Sequence, residues 1–177
     1  MYGCDKIIFI NRQFTKTRDG EKEMNIIPKK ELPETIPTDI CIKFASKRFS
    51  TNEKDRINDI TEAGIQSIIN NIRNSTYKSV FLSLDSEGDS GIKFFQLESD
   101  EGWIFVQICD EEEDLYYSSV NVDYLNSNEE APIICSDGQS VIMKRNTMHD
   151  LEMAAKCAEW FIRTGEPYPG MEWLANR

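Results

Sequence analysis

The chain has 177 residues, of which 40% are hydrophobic, and this length and composition are those of one domain with one substantial core. Its 31 acidic and 20 basic residues give a net charge of −11, which argues against a nucleic-acid-binding protein, because such proteins need a basic surface to neutralise phosphates. The N-terminal sequence MYGCDKIIFI lacks the features of a signal peptide and no apolar run reaches membrane-spanning length, so a soluble cytoplasmic protein is expected.

The first sixty residues contain two segments with strand-like composition, KIIFI at 6–10 and DICIKFA at 39–45. Between them, RDGEKE at 18–23 is typical of a turn. KKELPETIPT at 29–38 is typical of a loop, because prolines in and just before it interrupt regular structure. We expect an added hairpin or an arm from this part of the chain.

An amphipathic helix is predicted over 61–74, in TEAGIQSIINNIRN. Isoleucines recur at spacings i, i+3, i+4 and i+7 and would form one apolar stripe; they are Ile65, Ile68, Ile69 and Ile72. Thr61 is the expected N-cap, and the helix should end near Asn74.

Four short segments rich in β-branched and aromatic residues follow, at 79–84, 92–97, 103–108 and 115–120. The gaps between them contain Gly, Asp and Ser, which favour tight turns. A meander of antiparallel hairpins is therefore predicted.

A second helix is predicted over 148–163, where Thr147 and Asp150 resemble a capping box and Gly165 supplies a left-handed stop. Pro167 and Pro169 should stiffen the return that follows, and Trp173 should pack against the sheet. The elements together predict an α+β fold in one domain, 1–177, with an antiparallel sheet of five or more strands and two amphipathic helices packed against it.

Candidate catalytic residues are few. The single histidine, His149, has the position of a solvated or helix-capping residue as well as that of an acid–base catalyst. Cys135 precedes a turn that would expose a nucleophile or end a buried strand, and nothing beside it in sequence would lower its pKa. Five cysteines without a CxxC pair predict free thiols, and no nucleotide loop or calcium loop occurs. We predict no enzyme, no cofactor and no metal site, with a hydrolase using paired carboxylates as an alternative.

Negative charge is concentrated between residues 85 and 130, where fourteen acidic residues accompany one basic residue, Lys93. Each acidic run alone is typical of a solvated loop. Three acidic turns of one meander can instead add their potentials and attract a basic protein, because alternate hairpin ends collect on one edge of a sheet. Nearby aromatic residues would either anchor that partner or belong to the core. The predicted partner-binding residues are Asp85, Glu87, Asp89, Asp100, Glu101, Trp103, Asp110, Glu111, Glu112, Glu113, Asp114, Tyr116 and Tyr117.

The segment LEMAAKCAEWFIRTGEPYPGMEWL has the order of an alanine-containing helix, an aromatic residue, a glycine, a proline and a tryptophan followed by an aliphatic residue. This order resembles the closing motif of immunity protein family one of bacterial polymorphic toxin systems, of the contact-dependent growth inhibition type. The matching positions are Ala154, Ala155, Phe161, Gly165, Pro169 and Trp173. The predicted hairpins are also similar to the strand-rich centre of that family. The resemblance covers about residues 60 to 175, so 61–177 is the recognisable core and 1–60 a divergent extension.

The resemblance implies a cytoplasmic inhibitor encoded beside a secreted toxin, commonly a nuclease or a nucleic-acid deaminase. Such toxins present a basic groove to nucleic acid, which would explain an acidic inhibitor. The expected partner is therefore a cognate basic toxin domain, and neither nucleic acid nor a membrane. An acidic cytosolic adaptor or regulatory binding module with another protein partner is the alternative.

Overall fold

The computed structural model describes residues 25–49, 54–57, 60–85, 93–135 and 138–176. In these residues the chain forms an antiparallel sheet of nine strands with two helices packed against one face, which confirms the predicted α+β class. The strands are β1 (Asn25–Ile27), β2 (Phe44–Phe49), β3 (Lys54–Ile57), β4 (Tyr77–Ser83), β5 (Lys93–Asp100), β6 (Trp103–Asp110), β7 (Leu115–Ser118), β8 (Thr147–Met148) and β9 (Trp173–Asn176). The helices are α1 (Glu62–Arg73) and α2 (Leu151–Thr164).

The predicted meander is present as β4, β5, β6 and β7, each paired with the next. The strands lie in the order β1-β9-β7-β6-β5-β4-β2-β3, and β8 pairs with β6. Successive side chains of a strand point to opposite faces, and the register places Leu82, Phe95 and Ile108 side by side. All three belong to the core between the sheet and the helices.

Helix α1 forms as the isoleucine stripe predicts, because its four isoleucines are buried against the sheet. The Thr61 side chain accepts a hydrogen bond from the Gly64 backbone N–H at 3.2 Å, which satisfies one of the free donors of the first turn. Asn74 is the C-cap, as predicted. No helix among the described residues combines the length and the apolar composition that crossing a membrane requires.

Helix α2 begins at Leu151, three residues later than predicted, and its N-cap is Asp150. The Asp150 carboxylate accepts from the Met153 N–H at 2.9 Å. Thr147 is not part of the cap, because its backbone pairs with Phe105 in the sheet and its hydroxyl donates to the Lys144 carbonyl at 2.7 Å. The helix stops at Gly165, whose φ of +69° strains residues with a Cβ.

The C-terminal return closes the core as expected, since Trp173 is only 2% exposed. Its indole N–H donates to the Tyr168 carbonyl at 2.8 Å. Trp173 is the first residue of β9, a strand that the sequence did not predict. Strand β9 lies between β7 and β1 and pairs with both. The resemblance residues Ala154, Ala155 and Phe161 are likewise buried in the core.

The strand predicted over 39–45 is wrong in its limits, because β2 begins only at Phe44. Before that point the backbone follows the end of α2, where the Cys41 N–H donates to the Ile162 carbonyl at 2.8 Å. The proline-containing stretch before it has no helix or strand, as predicted. Strands β2 and β3 form a hairpin beside β4. The segments 6–10 and 18–23 lie outside the described residues.

Helices α1 and α2 run antiparallel and are joined by an ion pair at each end. Arg73 contacts both carboxylate oxygens of Glu152, at 2.6 and 3.0 Å. At the other end Arg163 pairs with Glu62 and also donates to the Thr38 carbonyl at 2.9 Å. The hydrogen bond from Arg163 lowers the pKa of the Glu62 carboxyl group. The helix pair is thereby connected to the segment that precedes β2.

The face of the sheet opposite the helices is partly covered by residues 119–135 and 138–146, between β7 and β8. These residues and Phe105 of β6 form a second apolar cluster, which consists of Phe105, Ala131, Ile133, Cys135 and Ile142. Beside it the fully buried carboxylate of Glu98 accepts hydrogen bonds from Arg48, Ser79 and Gln96, at 3.3, 3.1 and 2.9 Å. Arg48 also donates to the Ile134 carbonyl at 3.3 Å and so connects β2 to the covering segment.

The four described cysteines differ in exposure, which predicts the order in which they react with iodoacetamide at neutral pH. Cys41 is exposed, whereas Cys109, Cys135 and Cys157 are buried. Burial raises the pKa of Cys109 to about 11 and raises the pKa of Cys157 further, so both stay protonated and unreactive near pH 7. Peptide mapping of the native protein should find Cys41 alkylated well before the other three. Earlier labelling of Cys157 would contradict its position in the core.

Candidate protein-binding surfaces

The acidic residues of the meander lie at its two opposite ends. Successive strands reverse direction, so the β4–β5 and β6–β7 connections share one end and the β5–β6 turn lies at the other. The strands between them have up to eight residues, which separates the ends by about 25 Å. The predicted binding residues therefore form two groups and not one edge.

The first group, here called the acidic corner, lies where β6 turns into β7. It consists of Asp85, Asp110, Glu111, Glu112, Glu113, Asp114 and Tyr116. The two remaining acidic residues predicted near this end, Glu87 and Asp89, lie outside the described residues.

The turn of the acidic corner holds four exposed carboxylates in succession, from Glu111 to Asp114. The Glu113 N–H donates to Oδ1 of Asp110 at 3.3 Å, and the Asp114 N–H donates to the Glu111 carbonyl at 3.4 Å. Asp114 has a φ of +47°, which aspartate tolerates better than most residues. Within the described part of the chain, none of the four carboxylates is in an ion pair.

Asp110 and Asp85 differ from these four. Asp110 pairs with Lys93 at 3.2 Å, and Lys93 also pairs with Glu166 at 2.8 Å. Burial opposes the charge of Lys93, but the two carboxylates outweigh it and raise the pKa of the ammonium group. Asp85 is half-buried, and its N–H donates to the Ser83 hydroxyl at 3.0 Å. Both residues stabilise the end of the sheet, so the exposed charge of the corner comes from the turn itself.

The two tyrosines of β7 point to opposite faces. Tyr117 faces the helices, where its ring packs edge-to-face against Trp173 with centroids 6.4 Å apart. Tyr116 lies on the other face, opposite Cys109 and beside the turn of the acidic corner. The neighbouring Cys109 and the carboxylates of the turn raise the pKa of Tyr116, so it stays a neutral phenol at physiological pH. Tyr116 is therefore the better placed of the two to contact a partner.

The second group lies around the β5–β6 turn, in a cavity of about 190 Å³ that we call the turn cleft. Its lining includes three predicted residues, Asp100, Glu101 and Trp103. Asp100 is half-buried and pairs with Lys78 at 3.1 Å, whereas Glu101 is exposed. Glu101 and Gly102 form the turn, with φ of +48° and +80°.

The turn cleft also contains His149, which the sequence did not place near a binding site. Its Nδ1 lies 2.8 Å from the Gly102 carbonyl, and its ring packs edge-on to Trp103 with centroids 4.4 Å apart. A carbonyl only accepts, so Nδ1 carries the hydrogen in this contact. Nζ of Lys144 lies 5.3 Å from the centroid of the Trp103 ring.

The structure also bears on the candidate metal and nucleophile positions. Among the described residues, no three His, Cys, Asp or Glu side chains are grouped so that they could hold a metal ion. Cys135 is buried in the second apolar cluster. Comparisons with protein-family models, with curated proteins and with solved structures found no match.

Proposed function

We propose that this protein is a cytoplasmic immunity protein that binds a cognate basic toxin domain and neutralises it by covering its basic active-site surface. The observation that carries the proposal is the acidic corner, where four consecutive exposed carboxylates have no ion pair in the described residues. Their mutual repulsion would be relieved by a cationic partner, and their combined field would increase its rate of encounter.

The position of the corner supports the same proposal. The turn joins two paired strands of the sheet, so its charges are held in place before a partner arrives. A preorganised contact loses less conformational entropy on binding than a mobile loop does. Tyr116 adds a half-buried ring beside the charges and is suited to the desolvated centre of an interface.

The resemblance of the C-terminal segment to immunity protein family one supports the choice of a toxin as the partner. Its matched residues Ala154, Phe161 and Trp173 are buried, so they would maintain the scaffold while the acidic corner makes the contact. An acidic adaptor with another cytosolic partner is the second candidate, because the acidic corner would serve any basic protein.

Co-expression separates these two functions. The toxin domain encoded by a neighbouring gene should stop growth when expressed alone, and this protein should restore growth and co-purify with it. Growth arrest that persists, without co-purification, would refute the immunity function and favour the adaptor.

Charge reversal tests the acidic corner itself. The triple variant Glu111→Lys, Glu112→Lys, Glu113→Lys should reduce the association rate with the toxin domain by about tenfold or more at low salt, because steering of this kind changes on-rates by about 10 to 10³. Asp114 is left unchanged because of its positive φ. Stopped-flow binding across a salt series measures the rate, and the salt dependence should become weaker.

The matched control is Glu31→Lys, Glu34→Lys, Asp39→Lys, which makes the same change in net charge at three other exposed positions. Thermal unfolding of both variants should stay close to that of the parent, since exposed charges contribute little to stability. If the two triple variants slow association equally, the effect is one of net charge, and the acidic corner is not the contact.

A further inference from the structure

We infer that the turn cleft is a binding subsite for one arginine side chain of the partner protein. The inference rests on the proposed function for its biological partner, but the chemistry of the cleft can be tested without that partner. The cleft would form a second contact about 25 Å from the acidic corner, at the opposite end of β6.

The size of the cleft is the first reason. Its volume is about 190 Å³. Pockets that bind small-molecule substrates usually measure about 300–1,000 Å³. The cleft is therefore too small for a typical substrate and suits one long side chain inserted from a partner's surface.

Its hydrogen-bonding groups are the second reason. The Lys78 ammonium in the cleft is paired with Asp100, and Nδ1 of His149 donates to the Gly102 carbonyl. The exposed carboxylate of Glu101 also lines the cleft and accepts hydrogen bonds. A ligand for this arrangement must donate and should be positively charged.

The aromatic lining distinguishes arginine from lysine. Trp103 lines the cleft and its ring is only half-buried. A planar guanidinium can stack on an aromatic ring while it donates several hydrogen bonds in a fixed geometry, whereas an ammonium group is a compact and strongly hydrated charge. Nζ of Lys144 is also near this ring, at 5.3 Å from its centroid, but its charge is paired with Glu129 at 2.7 Å.

The cleft and the acidic corner can contact the same molecule. A standard interface covers about 800 Å² on each partner, which corresponds to a patch about 30 Å wide. Such a patch is about as wide as β6 is long. In this arrangement the exposed charges of the corner accelerate the encounter, and the arginine in the cleft slows dissociation.

The first experiment uses N-acetyl-arginine methylamide as the probe and the full chain. Titration should shift the NMR resonance of the Trp103 indole N–H until the shift saturates. The resonance is assigned by its absence from the spectrum of the Trp103→Phe variant. The control probe is N-acetyl-citrulline methylamide, which has nearly the same shape but no charge. It should bind at least about tenfold more weakly, because hydrogen bonds between charged groups are about twice as strong as neutral ones. Equal shifts with the two probes, or no saturable shift, would overturn the inference.

Two variants complete the test. Glu101→Gln keeps the size and shape of the side chain and should weaken the arginine probe about tenfold, whereas Glu34→Gln, the same change at a distant exposed position, should not. In the toxin complex, Glu101→Gln should raise the dissociation rate with little change in the association rate. If the toxin complex forms and Glu101→Gln does not change its dissociation rate, the subsite is refuted but the immunity function is not. A protein that binds the arginine probe but no toxin would refute the immunity function alone.

Discussion

Replacing Trp173 with alanine is expected to lower the free energy of unfolding by about 3–5 kcal/mol, the usual cost of removing a large buried aromatic side chain. Trp173 is 2% exposed and packs in the main core. Its indole N–H donates to the Tyr168 carbonyl, which would lose its donor. The substitution also leaves a cavity in the core beside β9, the strand that joins β1 to the rest of the sheet.

Urea denaturation followed by far-ultraviolet circular dichroism measures this loss without depending on tryptophan fluorescence. Trp160→Ala is the matched control, because Trp160 is only half-buried and its indole N–H has no hydrogen-bond partner among the described residues. We expect a smaller loss for Trp160→Ala. A loss below about 1 kcal/mol for Trp173→Ala would place this residue outside the core, contrary to its burial.

Arg48→Met is expected to cost about 3–5 kcal/mol, because it removes an ion pair made with the fully buried carboxylate of Glu98. Glu98 would keep the hydrogen bonds from Ser79 and Gln96, but neither donor is charged. The bond from Arg48 to the Ile134 carbonyl would also be lost, which should loosen the residues around Ile134 that cover the sheet.

The double variant Arg48→Met, Glu98→Leu should recover much of that stability, since replacing a buried ion pair with apolar residues of similar size is often neutral or stabilising. A double-mutant cycle from urea denaturation gives the coupling energy between the two positions. Limited proteolysis of the segment 119–146 adds a local measurement. Additive effects of the two substitutions would show that the pair does not act as one unit.

The elements with strong local signals could be predicted from the sequence. The isoleucine stripe defines α1 within one residue at each end, and the alternation of β-rich segments with acidic turns predicts the order β4 to β7. Strand β9 could not be predicted in this way, because WLAN is only four residues long and its partners are distant in sequence. Strand β8 has only two residues, Thr147 and Met148. Because these residues pair with β6, α2 begins later than predicted.

The candidate surfaces were predictable in composition but less so in arrangement. The exposed turn from Glu111 to Asp114 could be predicted because four consecutive acidic residues cannot be buried together. Glu98, within the acidic run ESDE, is instead fully buried, because β5 continues to Asp100 and Arg48 reaches it from a distant strand. The contact between His149 and Trp103 depends on tertiary pairing, for which the sequence carried no signal.

The position of β9 inside the sheet has a consequence for synthesis on the ribosome. Every other described strand and helix precedes β9 in the chain, yet β9 supplies the only partner of β1 and one partner of β7 among the described strands. Until β9 emerges, both strands present unpaired backbone edges, which can pair with other nascent chains. The meander and α1 can therefore form early during synthesis, but β1 and β7 can pair with β9 only after the residues around Trp173 have been synthesised.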